Sequence, residues 1–247
     1  MRLLALLAVR DDVRWLPGFF ASVGPHVDGV LALDDGSTDG SDRYLAERGE
    51  VLELIRVPPD RPAWDEIGNY RRLVDAAVRH GADWVLSLDA DERVEQEFRT
   101  RLERALAVRP EGVDAYAVRL RELWDSPLQF RDDGIWGRKT RLRIFRLGTD
   151  LVFEDKALHG HKVPVQCREP TRHAVADLEL YHLRMIAPED RAARRRRYEE
   201  ADPDGRWQPA GYAYLTDTTG LSLRTIDPAR AYAGAEDPIA RAATEWS

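Results

Sequence analysis

The chain has 247 residues, a formal net charge of -7, 43% hydrophobic and 33% charged residues. That is ordinary globular composition, which excludes a disordered or fibrous chain. The acid excess lacks the basic footprint of a general nucleic-acid binder, and a lone Cys167 leaves no internal disulfide framework or Cys-based zinc cluster.

Leu3–Val9 is a continuous apolar run, as in a parallel strand covered on both faces. It is too short to span a membrane, which needs roughly 20 such residues. Arg10, Asp11 and Asp12 stand where a signal-cleavage site would need small residues. The expectation is a cytoplasmic protein with no transmembrane segment. Val13–Val23 reads as a helix with Pro17 near its start, Gly29–Leu33 as a second strand and Val51–Val57 as a third. Trp64–His80 is an amphipathic helix with Ile67, Tyr70, Leu73, Val74 and Ala77 on one face. Gly81 stands where a left-handed cap is expected. Trp84–Leu88 is a fourth strand, and Val94, Phe98, Leu102, Ala105 and Leu106 mark another helix that stops at Pro110.

Beyond Pro110 the pattern changes. Val113–Leu120 and Arg141–Leu147 alternate like half-exposed strands, and the polar, aromatic segment 124–139 between them has no clear period. Leu180-Tyr-His182 ends a late strand, and Pro188–Glu200 is a helix with acids first and Arg later. The expected organisation is a half spanning 1–110 and a second spanning 111–247, within one continuous domain.

Alternating strands and helices predict a doubly wound, mostly parallel sheet with right-handed crossovers. Ligands bind such sheets beyond the carboxyl ends of the strands. Three segments lie there, 10–12, 34–40 and 89–92, and all are acidic or polar with Gly. Asp89 and Asp91 flank Ala90, so on extended chain both carboxylates point to one side. Their mutual repulsion makes sense where a hard divalent cation, Mg²⁺ or Mn²⁺, shares its shell with phosphates. Asp34-Asp35-Gly-Ser-Thr-Asp-Gly-Ser41 fits a turn with Ser41 or Asp42 capping a helix, or a loop hydrogen-bonding a nucleotide base or ribose. It fails as a calcium loop, because Ala46 occupies the place of the required bidentate Glu.

Val30-Leu-Ala-Leu-Asp-Asp-Gly-Ser-Thr-Asp-Gly-Ser41, followed about fifty residues on by Ala82-Asp-Trp-Val-Leu-Ser-Leu-Asp-Ala-Asp-Glu92, closely resembles family-2 glycosyltransferases of the GT-A fold. Leu7–Pro17 is similar to the family's opening strand and loop. The resemblance implies a GT-A-type doubly wound sheet flanked by helices, with a smaller acceptor-side β region and a C-terminal helix. It implies transfer of a sugar from a UDP, GDP or TDP donor to an acceptor hydroxyl, with inversion and a divalent cation. By the same resemblance Val9 and Asp12 lie beside the base, and Asp34 or Asp35 bonds base or ribose. Asp89 faces the ribose or a metal-bound water, Asp91 ligates the cation, and His182 supplies a further ligand. Arg71 or Arg72 would assist the pyrophosphate or the base. Phe153-Glu-Asp-Lys-Ala-Leu158 resembles the segment carrying the general base and nominates Asp155, with Glu154, His161 and Asp133 as alternatives.

Rival classes fit less well. Sugar-nucleotide-forming nucleotidyltransferases need a Gly-rich loop after the first strand, and no Gly occurs from there to Gly18. An Asp-nucleophile phosphatase leaves the 34–41 loop unexplained. A non-catalytic nucleotide-sugar-binding relative would not need the paired acids. In the 191–197 Arg run, either the helix face is solvated or one Arg reaches the diphosphate behind His182. Trp124, Trp136 and segment 207–217 either pack in the core or face the acceptor.

Overall fold

The computed structural model describes residues 1–58, 65–154 and 160–234. An eight-stranded sheet forms its centre. In chain order its elements are β1 (Leu3–Val9), α1 (Leu16–Val23), β2 (Val30–Asp34), α2 (Ser41–Ala46), β3 (Val51–Arg56), α3 (Glu66–Arg79), β4 (Trp84–Leu88), β5 (Glu92–Val94), α4 (Phe98–Ala107) and β6 (Ala115–Glu122). Then come β7 (Gln129–Arg131), β8 (Thr140–Arg146), β9 (His173–His182), α5 (Pro188–Ala201) and β10 (Leu223–Thr225). The sheet order is β3-β2-β1-β4-β8-β6-β9-β5, and β10 pairs with β7 in a small antiparallel sheet. Strands β3, β2, β1 and β4 run parallel, β8 is antiparallel to both its neighbours, and β6 and β9 are parallel. Strands from both sides of Pro110 share this sheet.

The apolar run of β1 is buried along its length because each face meets a different layer. Leu3, Ala5, Leu7 and Val9 join α1 and α4 through Phe19, Val23, Phe98 and Leu102. Leu4 and Leu6 face α3, where Ile67, Tyr70, Leu73, Val74 and Ala77 form the expected face. Each Val, Leu, Ile or Phe among them contributes about 1.5–3 kcal/mol when fully buried. Asp65 caps α3 by accepting from the Gly68 amide at 2.8 Å. The helix ends in a Schellman turn: the Ala82 amide reaches the Ala77 carbonyl and the Gly81 amide the Val78 carbonyl, each at 3.0 Å. Gly81 takes the required left-handed conformation, with φ +65°.

Two expectations need correction. Val94 belongs to β5 and the next helix starts only at Phe98, because pairing of Glu92, Arg93 and Val94 with β9 overrides the helical period. Helix α2 has Gly40, at φ +96°, as its N-cap. Ser41 donates its hydroxyl to Asp39 at 2.6 Å and therefore does not cap the helix. Segment 124–139 is less irregular than its sequence suggests, since it contains β7. Trp124 and Trp136 are buried against each other with Met185, Tyr212 and Leu215, so both tryptophans, and Tyr212 and Leu215 of the 207–217 segment, serve core packing. Among the described residues no helix is long and apolar enough to cross a membrane.

The Ser22 hydroxyl is buried between α1 and β5. It donates to the Val94 carbonyl at 3.1 Å and accepts from the Val94 amide at 3.0 Å. Ser22→Ala strands both groups, and the expected loss is about 1–3 kcal/mol of unfolding free energy. Chemical denaturation measures it, and an unchanged midpoint would contradict this role.

Candidate functional site

The carboxyl ends of β1, β2 and β4 open into a cavity of about 830 Å³. Val9, Asp12, Asp35, Asp89, Asp91 and His182 all line it, together with Asn69 and Tyr70 of α3. Asp34 and Arg72 do not. Asp34 is buried at the end of β2, where it accepts from the Ser37 amide at 3.1 Å. Arg72 turns to Asn69 at 2.8 Å, and Arg71 donates to the Phe153 carbonyl at 3.1 Å.

The 34–41 loop is chiefly a clamp on the loop after β1. Ser37 accepts from the Asp11 amide at 3.0 Å, Ser41 from the Asp12 amide at 3.1 Å and Asp39 from the Val13 amide at 2.8 Å. In return, Asp11 accepts from the Thr38 amide at 2.7 Å. Partial burial works against the Asp39 charge, but the Ser41 hydroxyl and the Val13 amide hold its carboxyl below the usual range. This clamp orients Asp12 and leaves Asp35 facing the cavity.

His182 and Asp91 lie far apart in sequence and meet through sheet pairing. Strand β5 starts immediately after Asp91, and Glu92 pairs with His182 of β9. Glu122, the last residue of β6, pairs with His182 from the other side. The Leu183 amide donates to the Asp91 carbonyl at 2.9 Å and closes the junction. The Glu122 carboxylate holds His182 Nδ1 and also binds Lys139. His182 Nε2 then faces Asp91 Oδ2 at 3.2 Å. Burial disfavours the imidazolium, yet Glu122 and Asp91 together raise the His182 pKa to about 9.

The remaining acids are matched by cations. Arg184 bridges Asp91 and Asp12, with 2.6 Å to Asp12 Oδ1. Lys162 binds Asp89 Oδ1, and Arg143 stands 3.2 Å from Asp89 Oδ2 and 2.5 Å from Glu92. Burial opposes both charges. Lys162 and Arg143 still hold Asp89 at about 2, while Arg184 and His182 keep Asp91 well below the usual carboxylate range. Among the described residues Asp91 Oδ1 is buried without a hydrogen-bond partner, as are Arg143 Nε and Arg194 Nε on the cation side.

That orphaned oxygen and the imidazole form a donor set suited to a divalent cation. A metal-binding His usually donates its other ring nitrogen to a carboxylate, which fixes the tautomer, and Glu122 stands in that position. Among the described residues no three His, Cys, Asp or Glu side chains form a complete metal cage. Two protein ligands with the remaining positions open is the arrangement expected where substrate phosphates complete the shell.

Asp155, the nominated base, lies outside the described residues. Glu154 is bound by His161 and Arg168, which overcome the opposing burial and hold it at about 2. Asp133 is gripped by Arg131 at 2.8 and 2.9 Å. Neither lines the cavity, whereas His161 does. Within the Arg run, Arg191 is buried over Trp124 and donates to the Met185 and Ile186 carbonyls. Arg195 pairs with Glu199. Arg194 faces the cavity 3.4 Å from His182 Nε2, its Nε without a partner. Sequence reasoning missed Glu122, Lys162 and Arg184. The last two are isolated basic residues without a motif, and only the position of Glu122 at a strand end could have singled it out.

No family model matches the chain. Uncharacterized proteins of Mycobacterium tuberculosis and Mycobacterium bovis are each 28% identical to it over 235 residues, covering 92% of this chain and 57% of theirs. The chain thus spans little more than half the length of these curated relatives. A TPR repeat-containing protein of Synechococcus elongatus is 36% identical over 150 residues, 60% of this chain and 32% of that one. Among solved structures, S. aureus TarS matches with a TM-score of 0.51 at 14% identity, over 87% of this chain and 42% of that one. TarS 1-349 in complex with UDP-GlcNAc matches with a TM-score of 0.51 at 13% identity, over 87% and 70%. The likeness is one of fold, and the fold class is the GT-A-type sheet expected from the sequence.

The paired imidazolium gives a pH signature. Its folded pKa of about 9 lies above the ordinary 6.5. The stability it contributes is therefore fully present below pH ~6.5 and is lost as pH rises through ~9. In the metal-free protein, NMR titration should find His182 still protonated at pH ~8. A value at or below the ordinary one would contradict the Glu122–His182–Asp91 arrangement.

Proposed function

We propose that this protein is a glycosyltransferase that moves a sugar from a nucleoside-diphosphate sugar to an acceptor hydroxyl, assisted by a divalent cation. The observation that carries this reading is the orphaned Asp91 Oδ1 beside a His182 whose tautomer is held by Glu122. Both face a cavity at the carboxyl ends of parallel strands, the ligand position of open α/β sheets. The GT-A-type fold and the motif resemblance support the same reading.

In this proposal Val9, Asp12 and Asp35 hold the nucleoside, and Asn69 lies on the same side of the cavity. Asp91 and His182 hold Mn²⁺ or Mg²⁺. Asp89, engaged by Lys162 and Arg143, faces the ribose or a metal-bound water. Arg194, beside His182 and without a carboxylate partner among the described residues, is assigned to the diphosphate. Bound there, the cation would offset charge that develops on the leaving diphosphate. The acceptor oxygen bonds to the anomeric carbon as the bond to the diphosphate breaks, and the electron pair leaves with the nucleotide. An in-line attack inverts the anomeric centre. Asp155 is proposed to take the acceptor's proton, a contribution of typically ~10²–10⁴-fold.

Two variants test these roles. In calorimetric titrations with UDP, GDP and TDP, one nucleotide should bind wild type at least about tenfold tighter with Mn²⁺ than without. Asp91→Ala should lose that increment while its far-ultraviolet circular dichroism shows it still folded, with a lowered melting temperature because Arg184 and His182 lose a buried partner. Unchanged Mn²⁺ dependence in the variant would overturn the metal assignment. Asp155→Asn should keep nucleotide binding and lose transfer by about 10²-fold or more. Turnover like wild type would sink the base assignment.

A further inference from the structure

The wall of the cavity beyond His182 carries more positive charge than a donor requires. Each phosphate of a nucleoside-diphosphate sugar bears one negative charge, and a divalent cation offsets both. Lys162, Arg143 and Arg184 are already matched to Asp89, Glu92, Asp91 and Asp12. Arg194 adjoins the proposed metal position. Arg141 and Arg197 are left over, and both line the same cavity.

Arg141 stands two residues before Arg143 on β8, across a bulge in the pairing with β6, and both side chains line the cavity. Arg143 points at Asp89 and Glu92, whereas Arg141 makes its described contact with its neighbour's carbonyl, Thr140 O, at 2.9 Å. Burial and the adjacent Arg143 both lower the Arg141 pKa. The residue keeps access to solvent at the cavity and has no carboxylate partner among the described residues. Arg197 lies one turn after Arg194 on α5, on the same helix face, and its described contact is the Tyr198 ring at 5.7 Å. Elsewhere on the helix, Arg191 and Arg195 are paired to Asp125 and Glu199, so lack of a partner is not general to the run. Two guanidinium groups from different elements thus line one cavity without carboxylate partners among the described residues. Planar guanidinium forks suit the several oxygens of a phosphate better than a single hydroxyl.

We infer that the acceptor carries a phosphate group, and that Arg141 and Arg197 bind it so that the acceptor hydroxyl is presented to the donor sugar. This rests on the transferase reading and names its acceptor class.

The test uses the full chain and three matched probes: glycerol 3-phosphate, glycerate and glycerol. Each is titrated calorimetrically with and without UDP and Mn²⁺. Glycerol 3-phosphate should bind at least about tenfold tighter than the other two, without displacing UDP. Arg141→Ala combined with Arg197→Ala should weaken it by about tenfold and leave UDP affinity unchanged. Equal binding of glycerol and its phosphate, preference for glycerate, displacement of UDP, or an unaffected double variant would each overturn the inference. Where UDP does not bind, GDP or TDP replaces it in these titrations, and failure of all three to bind counts against the transferase reading.

Discussion

The antiparallel pairing of β5 with β9 is the constraint on which the site depends. Three residues of β5 carry the chain away from Asp91, and their register against β9 sets Glu92 opposite His182. Parallel pairing of β6 with β9 brings Glu122 to the same histidine. Backbone hydrogen bonds therefore determine where three charged side chains meet, in a place where misplacement would be costly. A buried charge without a partner is expensive, and here Asp12, Asp89, Asp91 and Glu122 each have a cation, while Asp91 Oδ1 has no hydrogen-bond partner among the described residues. Slipping β9 by one residue would turn His182 to the opposite face of the sheet.

The same dependence explains what the sequence reveals and what it hides. Leu3–Val9 and Trp84–Leu88 were readable to the residue, because strands covered on both faces must be apolar throughout. The face of α3 was readable from its period, and its end from Gly81. Asp89 and Asp91 stand out because two acids one residue apart after an apolar strand have no place in a core. Glu122, Lys162 and Arg184 carry no such mark. Each matters through a partner 60 or more positions away, and single-sequence patterns do not encode that register. The strand conformation of Val94 is hidden for a similar reason, since pairing with β9 decides it. The Asp34–Ser41 motif was conspicuous, but much of its polar chemistry turns inward to clamp the Asp11–Val13 loop and leaves Asp35 to face the cavity.

Charge composition gains meaning once it is placed in space. The net charge of -7 hides a local balance. Acids at the strand ends are met by Arg143, Lys162 and Arg184, and the wall beyond His182 is basic. Most of the Arg excess is spent on ordinary tasks: Arg93 donates to the Ala90 and Trp15 carbonyls, Arg131 grips Asp133, and Arg191 packs on Trp124. Arg141, Arg194 and Arg197 lie on the cavity without a carboxylate partner among the described residues, which is why the proposal assigns them to anionic groups.

The central claim is that Asp91 and His182 hold a cation for a nucleoside diphosphate. Crystals grown with UDP and Mn²⁺, measured at the manganese absorption edge, test it most directly. The account expects an anomalous peak within bonding distance of Asp91 Oδ1 and His182 Nε2, with the diphosphate completing the shell. A nucleotide bound in the cavity with no peak there would contradict it.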